Sequence, residues 1–217
     1  MPRRTRRRSW KKKRLTGNSS FSNRAPVATK MLTRMKYHDA ISVNPGIGNV
    51  GAHVFSANGL YDPDITGVGH QPRGLDQILA LYDHFVALGS KIHLKIDNSD
   101  NASSIVVGVA VLDTATASAS VDYYMESGYV KSVICPGGNE GARTLSLKVN
   151  PNKFLGRSHP MSDSQLKGSS SANPTEGVYF HVFAFAPDTA IDAGDVNLSV
   201  DIEYAVAFIE PKIPPVS

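Results

Sequence analysis

The chain has 217 residues, with 23 Lys and Arg against 19 Asp and Glu and a formal net charge of +4. Its length suits one sizeable domain, and an apolar content of 41% fits a protein with a buried core, which excludes the fibrous and wholly disordered classes. Cys135 is the only cysteine, so an intrachain disulfide and a Cys-based zinc site are excluded, and no run of about 18 apolar residues exists to make a spanning helix.

The charge is unevenly spread. Met1 to Lys36 holds 13 Lys and Arg and no acid, while the remainder holds 10 cations and all 19 acids, a balance of −9. A cationic arm on an acidic body points to a polyanionic partner for the arm. Nine of the first fourteen residues are basic: Arg3, Arg4, Arg6, Arg7, Arg8, Lys11, Lys12, Lys13 and Arg14. Like charges at this density repel and offer almost no apolar surface to bury, so the segment is expected to be disordered by itself. TGNSSFSNRAPVA (16–28) then reads as a flexible linker. Residues 1–30 are assigned as arm and linker, and 31–217 as a single domain. Guanidinium groups grip phosphate bidentately and lysines add point charges. With all 13 cations on single-stranded phosphate, log K falls against log salt with a slope of up to roughly −9. Trp10, inside the basic run, is placed to stack on a base for ~1–3 kcal/mol. The same cluster is compatible with a second use as a nuclear import signal, though 13 cations exceed what a signal of about 5–8 residues needs. It lacks the apolar face of a membrane-surface helix and the apolar stretch of a signal peptide, so the sequons at Asn18, Asn101 and Asn197 are expected to carry no glycan.

Beyond residue 30 the dominant period is two. KMLTRMKYHDAISV (30–43) sets Met31, Met35, Tyr37, Ile41 and Val43 on one face, and GAHVFSA (51–57) follows. PRGLDQILALYDHF (72–85) breaks the pattern. It carries Leu75, Ile78, Leu79, Tyr82 and Phe85 at helical spacing, with Pro72 at its start and Gly89 beyond its end. KIHLKID (91–97) alternates again through Ile92, Leu94 and Ile96. IVVGVAVL (105–112) and VYFHVFAFA (178–186) are apolar on both sides, as central strands covered by the opposing sheet or a neighbouring subunit are. YVKSVIC (129–135), RTLSLKV (143–149) and VNLSVDIEYAVAF (196–208) complete about eight strands, joined by long loops rich in Gly, Pro, Asn and Ser. The expected class is all-β: an eight-stranded jelly-roll sandwich with one short inserted helix, rather than an immunoglobulin fold. A closed lipocalin-type barrel is the alternative, though it runs with shorter hairpins.

Several constellations invite a chemical reading. Asp62 and Asp64 in YDPDITG are the candidate calcium ligands, but Asp-Pro and Asp-x-x-Gly also make ordinary turns and no EF-hand spacing is present. Asp188, Asp192 and Asp195 pose the same choice. The loop with His70, Gln71 and Arg73 lacks the phosphate-loop pattern and reads as a lead into the helix. His38 and Asp39 adjoin on a strand and so face opposite ways. Cys135, in an apolar stretch, reads as a small core residue. No nucleophile elbow or HExxH helix occurs, no cofactor is called for, and the chain is not expected to be an enzyme.

Residues 54–92 carry a resemblance. Their order, F-S-A-N-x-L-Y-D-P, then T-G-x-G-H-Q-P-x-G, D-Q and Y-x-x-x-x-x-x-G-S-K-I, covers under a fifth of the chain. It resembles the segment between strands C and D in capsid (coat) proteins of small circular Rep-encoding single-stranded DNA (CRESS-DNA, circovirus-like) viruses. The resemblance implies a viral jelly roll and a self-assembling T=1 icosahedral shell, a homo-oligomer of about sixty subunits. It implies a cargo of circular single-stranded DNA and location in the virion and, during assembly, the host nucleus, with a nuclear import receptor as a further partner and no membrane insertion. Sixty copies of the 13 cations of residues 1–36 supply about 780 charges, whereas the coding sequence for these 217 residues alone needs roughly 650 nucleotides and a replicase gene must fit too. Mobile cations or polyamines are therefore expected to neutralise the rest. The competing reading is a jelly-roll module that binds nucleic acid or carbohydrate without assembling.

Overall fold

A computed structural model describes residues 27–98, 101–138 and 142–213. The arm residues Arg3, Arg4, Arg6, Arg7, Arg8, Trp10, Lys11, Lys12, Lys13 and Arg14 lie outside the described residues, as does the linker to residue 26. Eight strands follow in order: β1 (Lys30–Val43), β2 (Val50–Ser56), β3 (Tyr82–Asp97), β4 (Ile105–Leu112), β5 (Val130–Cys135), β6 (Arg143–Val149), β7 (Tyr179–Phe185) and β8 (Val196–Pro211). They form two four-stranded antiparallel sheets, ordered β1-β8-β3-β6 and β2-β7-β4-β5.

The pairings reveal how the chain is rolled. The first strand pairs with the eighth, the second with the seventh, the third with the sixth and the fourth with the fifth. The chain is thus one long hairpin with its bend between β4 and β5. Pairing of β3 with β8 and of β4 with β7 then wraps it into two sheets. This is the jelly-roll connectivity. Alternation sends one side of each sheet inward. Tyr37, Phe55, Phe85, Ile92, Val107, Phe180, Ile202 and Phe208 meet in the main core with almost no exposure. The period-two reading places β1, β4 and β6 at the bounds observed.

The helical stretch differs from expectation. The spacing of Leu75, Ile78, Leu79, Tyr82 and Phe85 predicts a helix over 72–85, yet the helix α1 spans only Leu75–Leu79 and β3 starts at Tyr82. Tyr82 pairs with Pro211, and Phe85 with Phe208. Here an edge of β8 offers a ladder of backbone partners, and tertiary pairing overrides a local helical spacing. Phe85 is further bridged to Gly168 by reciprocal backbone hydrogen bonds of 2.9 Å. The single helix expected is joined by two other short ones, α2 (Val121–Met125) and α3 (Pro151–Phe154). Ser120 caps α2, and Asn150 with Pro151 opens α3, both standard starting signals.

The α2 segment explains why β4 and β7 are apolar on both sides. A neighbouring subunit is not needed to cover the outward face of the second sheet, because the connection from β4 to β5 folds back over it. Tyr124 from α2 is fully buried and stacks on Phe183, with ring centroids 4.6 Å apart and planes within 6°. Its hydroxyl accepts a 2.8 Å hydrogen bond from the Ser118 amide. Gly108 lies beneath Phe183, where an added Cβ would stand 2.3 Å from the ring. Beside this stack His181 is fully buried, its Nε2 donating to the Thr114 carbonyl at 2.7 Å.

Candidate nucleic-acid interface

The described part of the chain meets the basic segment at β1. Lys30, Arg34 and Lys36 alternate with core residues there and are all exposed on the outward face of the first sheet. The antiparallel register builds rows of side chains across that face. Lys36, Glu203, Lys91 and Lys148 form one row, and His38, Asp201, His93 and Ser146 the next. Lys36 lies 3.4 Å from the Asp201 carboxylate, and His38 Nδ1 lies 3.1 Å from the same oxygen. Burial opposes ionisation of Asp201, but the His38 hydrogen bond and the Lys36 charge outweigh it and hold the carboxyl below its ordinary value. Glu203 therefore faces Lys36 and Lys91, and Asp201 faces His38 and His93, on the two neighbouring strands. Lys30, Arg34, Lys36, Lys91 and Lys148 thus share this face with Asp201 and Glu203.

The other constellations resolve into structure. Asp64 is buried, and its Oδ1 accepts from the Thr66 amide at 3.0 Å and hydroxyl at 2.8 Å and contacts His53 Nε2 at 3.0 Å. The amide contact is the turn geometry that Asp-x-x-Gly suggests. Asp62 lies close enough for the Asp64 charge to add to burial in pushing its carboxyl up. Among the described residues no group of three or more His, Cys, Asp and Glu side chains is arranged to hold a metal ion. Asp188 and Asp192 cap turns by accepting from the amides of Ala190 and Gly194, each at 3.0 Å. His38 and Asp39 do face apart: Asp39 accepts from the Tyr37 hydroxyl at 2.7 Å, while His38 turns to Asp201. His70 packs on the Tyr37 ring at 4.8 Å, and Arg73 is exposed. Cys135 is buried, which pushes its thiol up and away from thiolate chemistry.

Comparison with solved structures settles the architecture. A chain of the mud crab tombus-like virus structure aligns over 90% of this chain and 96% of its own at 17% identity, with a TM-score of 0.51. The semi-empty virus-like particle of the giant freshwater prawn Macrobrachium rosenbergii nodavirus aligns over 99% and 97% at 9% identity, with a TM-score of 0.50. The fold is a viral jelly roll. No family model and no curated protein matches the sequence. At these identities the likeness is one of fold, and the charge pattern carries the rest of the functional argument.

Sequence reasoning did not single out Lys91, Lys131 or Lys148. In their strands these lysines are simply the polar members of an alternating pattern. Only the sheet order brings them together.

Proposed function

We propose that this chain is a viral coat protein whose domain 31–217 assembles into a closed shell and whose residues 1–30 hold the packaged nucleic acid. The observation that carries the proposal is a dense cationic segment that precedes, across a short linker, the first strand of a viral jelly roll whose body is acidic. A jelly roll alone serves many functions. Thirteen cations with no acid among them need a polyanion. The cargo is proposed to be circular single-stranded DNA and the shell a T=1 particle of about sixty subunits, on the strength of the resemblance over residues 54–92. The same basic run serves as the nuclear import signal before it meets the genome. The protein acts structurally, without a catalytic step.

Purified full-length protein imaged in negative stain tests the assembly. Uniform closed particles are expected. Only species near the 23.3 kDa of a monomer, across a range of salt and calcium, would instead favour a non-assembling binding module. Deleting residues 1–30 tests the arm. Particles or folded protein depleted of nucleic acid are expected, and normal DNA content would refute the assigned role.

A further inference from the structure

The second sheet ends at β5 and the first at β6, and both edges lie on the same side of the sandwich. Between them is a depression of about 500 Å³ lined by Lys91, Lys131, Lys148, Ser146 and Val130, with Tyr129 at its rim. No acidic side chain lines it. Lys91 and Lys148 stand directly opposite each other in the β3–β6 register, with Glu203 of β8 facing Lys91 from the other side. Lys131 reaches across from β5 to donate to the Ser146 carbonyl at 3.3 Å. All three lysines are exposed, and among the described residues none takes part in an ion pair. A concave site lined by one sign of charge raises the local concentration of the opposite sign.

The aromatic at the rim narrows the choice of anion. Tyr129 is 41% exposed, yet its hydroxyl is tied to the Lys148 carbonyl at 2.9 Å, and Phe154 packs edge-on against its ring at 6.2 Å. One ring is thus held in place beside three cations. Phosphate beside a planar base is the ligand chemistry that uses both features, because single-strand sites combine a basic groove with aromatic stacking platforms.

We infer that this depression is a second nucleic-acid contact, in which Lys91, Lys131 and Lys148 each engage a backbone phosphate of a single strand and Tyr129 stacks an adjoining base. The inference rests on the reading of the chain as a nucleic-acid-packaging coat. It locates on the folded body part of the neutralising charge that the arms cannot supply.

Oligothymidylate carrying bromodeoxyuridine, irradiated with the full-length chain and followed by peptide mapping, tests it. Cross-links are expected at the Tyr129 peptide as well as at the basic arm. The triple variant K91Q/K131Q/K148Q should lose the Tyr129 cross-link, keep those of the arm, and shrink the salt slope of binding by about 2. The corresponding triple Lys→Arg variant should restore both, which a merely structural role for the lysines would not explain. Cross-links confined to the arm overturn the inference and leave the packaging reading intact. Cross-links nowhere overturn both. Retention on heparin that needs the three lysines, without any cross-link at Tyr129, makes this a sulfated-glycan surface and also overturns it.

Discussion

His181 carries a proton balance fixed by its surroundings. Its Nε2 already donates to Thr114, and Nδ1 is buried without a partner among the described residues. A second proton would put an uncompensated charge beneath α2. Burial therefore holds the imidazole below its ordinary value, and the Thr114 contact offsets this only in part. Because the folded value is depressed, stability is intact above the unfolded value near 6.5. It falls as the pH drops through that value, where the unfolded chain takes up a proton that the folded one refuses. Urea denaturation between about pH 7.5 and 5 should show this loss. His181→Phe should be less stable at neutral pH but lack that part of the acid dependence. A second residue-scale expectation concerns Gly108, over which Phe183 is clamped by the Tyr124 stack. Gly108→Ala should cost about 1–3 kcal/mol in the same assay, since the ring has nowhere to retreat.

At the scale of elements, α2 is the least visible from sequence and among the most consequential. Five residues cannot make a stable helix by propensity, so its existence depends on what Tyr124 covers. Tyr124→Ala should cost about 3–5 kcal/mol by thermal or chemical melting and expose Phe183 and Phe185 to a hydrophobic dye. The strands, by contrast, are legible because each has one face in the core, and a slip of one residue would invert every side chain. Val196 through Phe208 shows this well, with seven alternating apolar residues that are all buried. The boundary of α1 and β3 is hidden because Leu75, Leu79, Tyr82 and Phe85 satisfy both a helical period and the contacts of a bent strand. The candidate nucleotide contact is hidden for another reason. Lys91, Lys131 and Lys148 are separated by up to 57 residues and meet only once β3, β5 and β6 are placed. The basic arm needs no such placement, since its charge is local and its chemistry follows from composition.

For the whole molecule, binding and folding are expected to separate. The arm's attraction for a polyanion is electrostatic and screened, while the sandwich is held by apolar burial between two sheets. Replacing Arg3, Arg4, Arg6, Arg7 and Arg8 by Gln should reduce the salt slope of single-strand binding by roughly 3.5. The melting temperature should stay unchanged, because these residues offer no apolar surface to a core. A fall in melting temperature equal to that of a core variant would contradict this division.

The position of β8 between β1 and β3 bears on how the protein is made. Of the eight described strands, one in the middle of the first sheet leaves the ribosome after all the others. β3 ends at Asp97 and β8 begins at Val196, so translation supplies the missing partner only after about 5–20 s. Until then β1 has no neighbour in its sheet, although the basic residues ahead of it have already been synthesised. A nascent chain halted before β8 already holds every strand of the second sheet, while the first is split into a lone β1 and the β3–β6 pair.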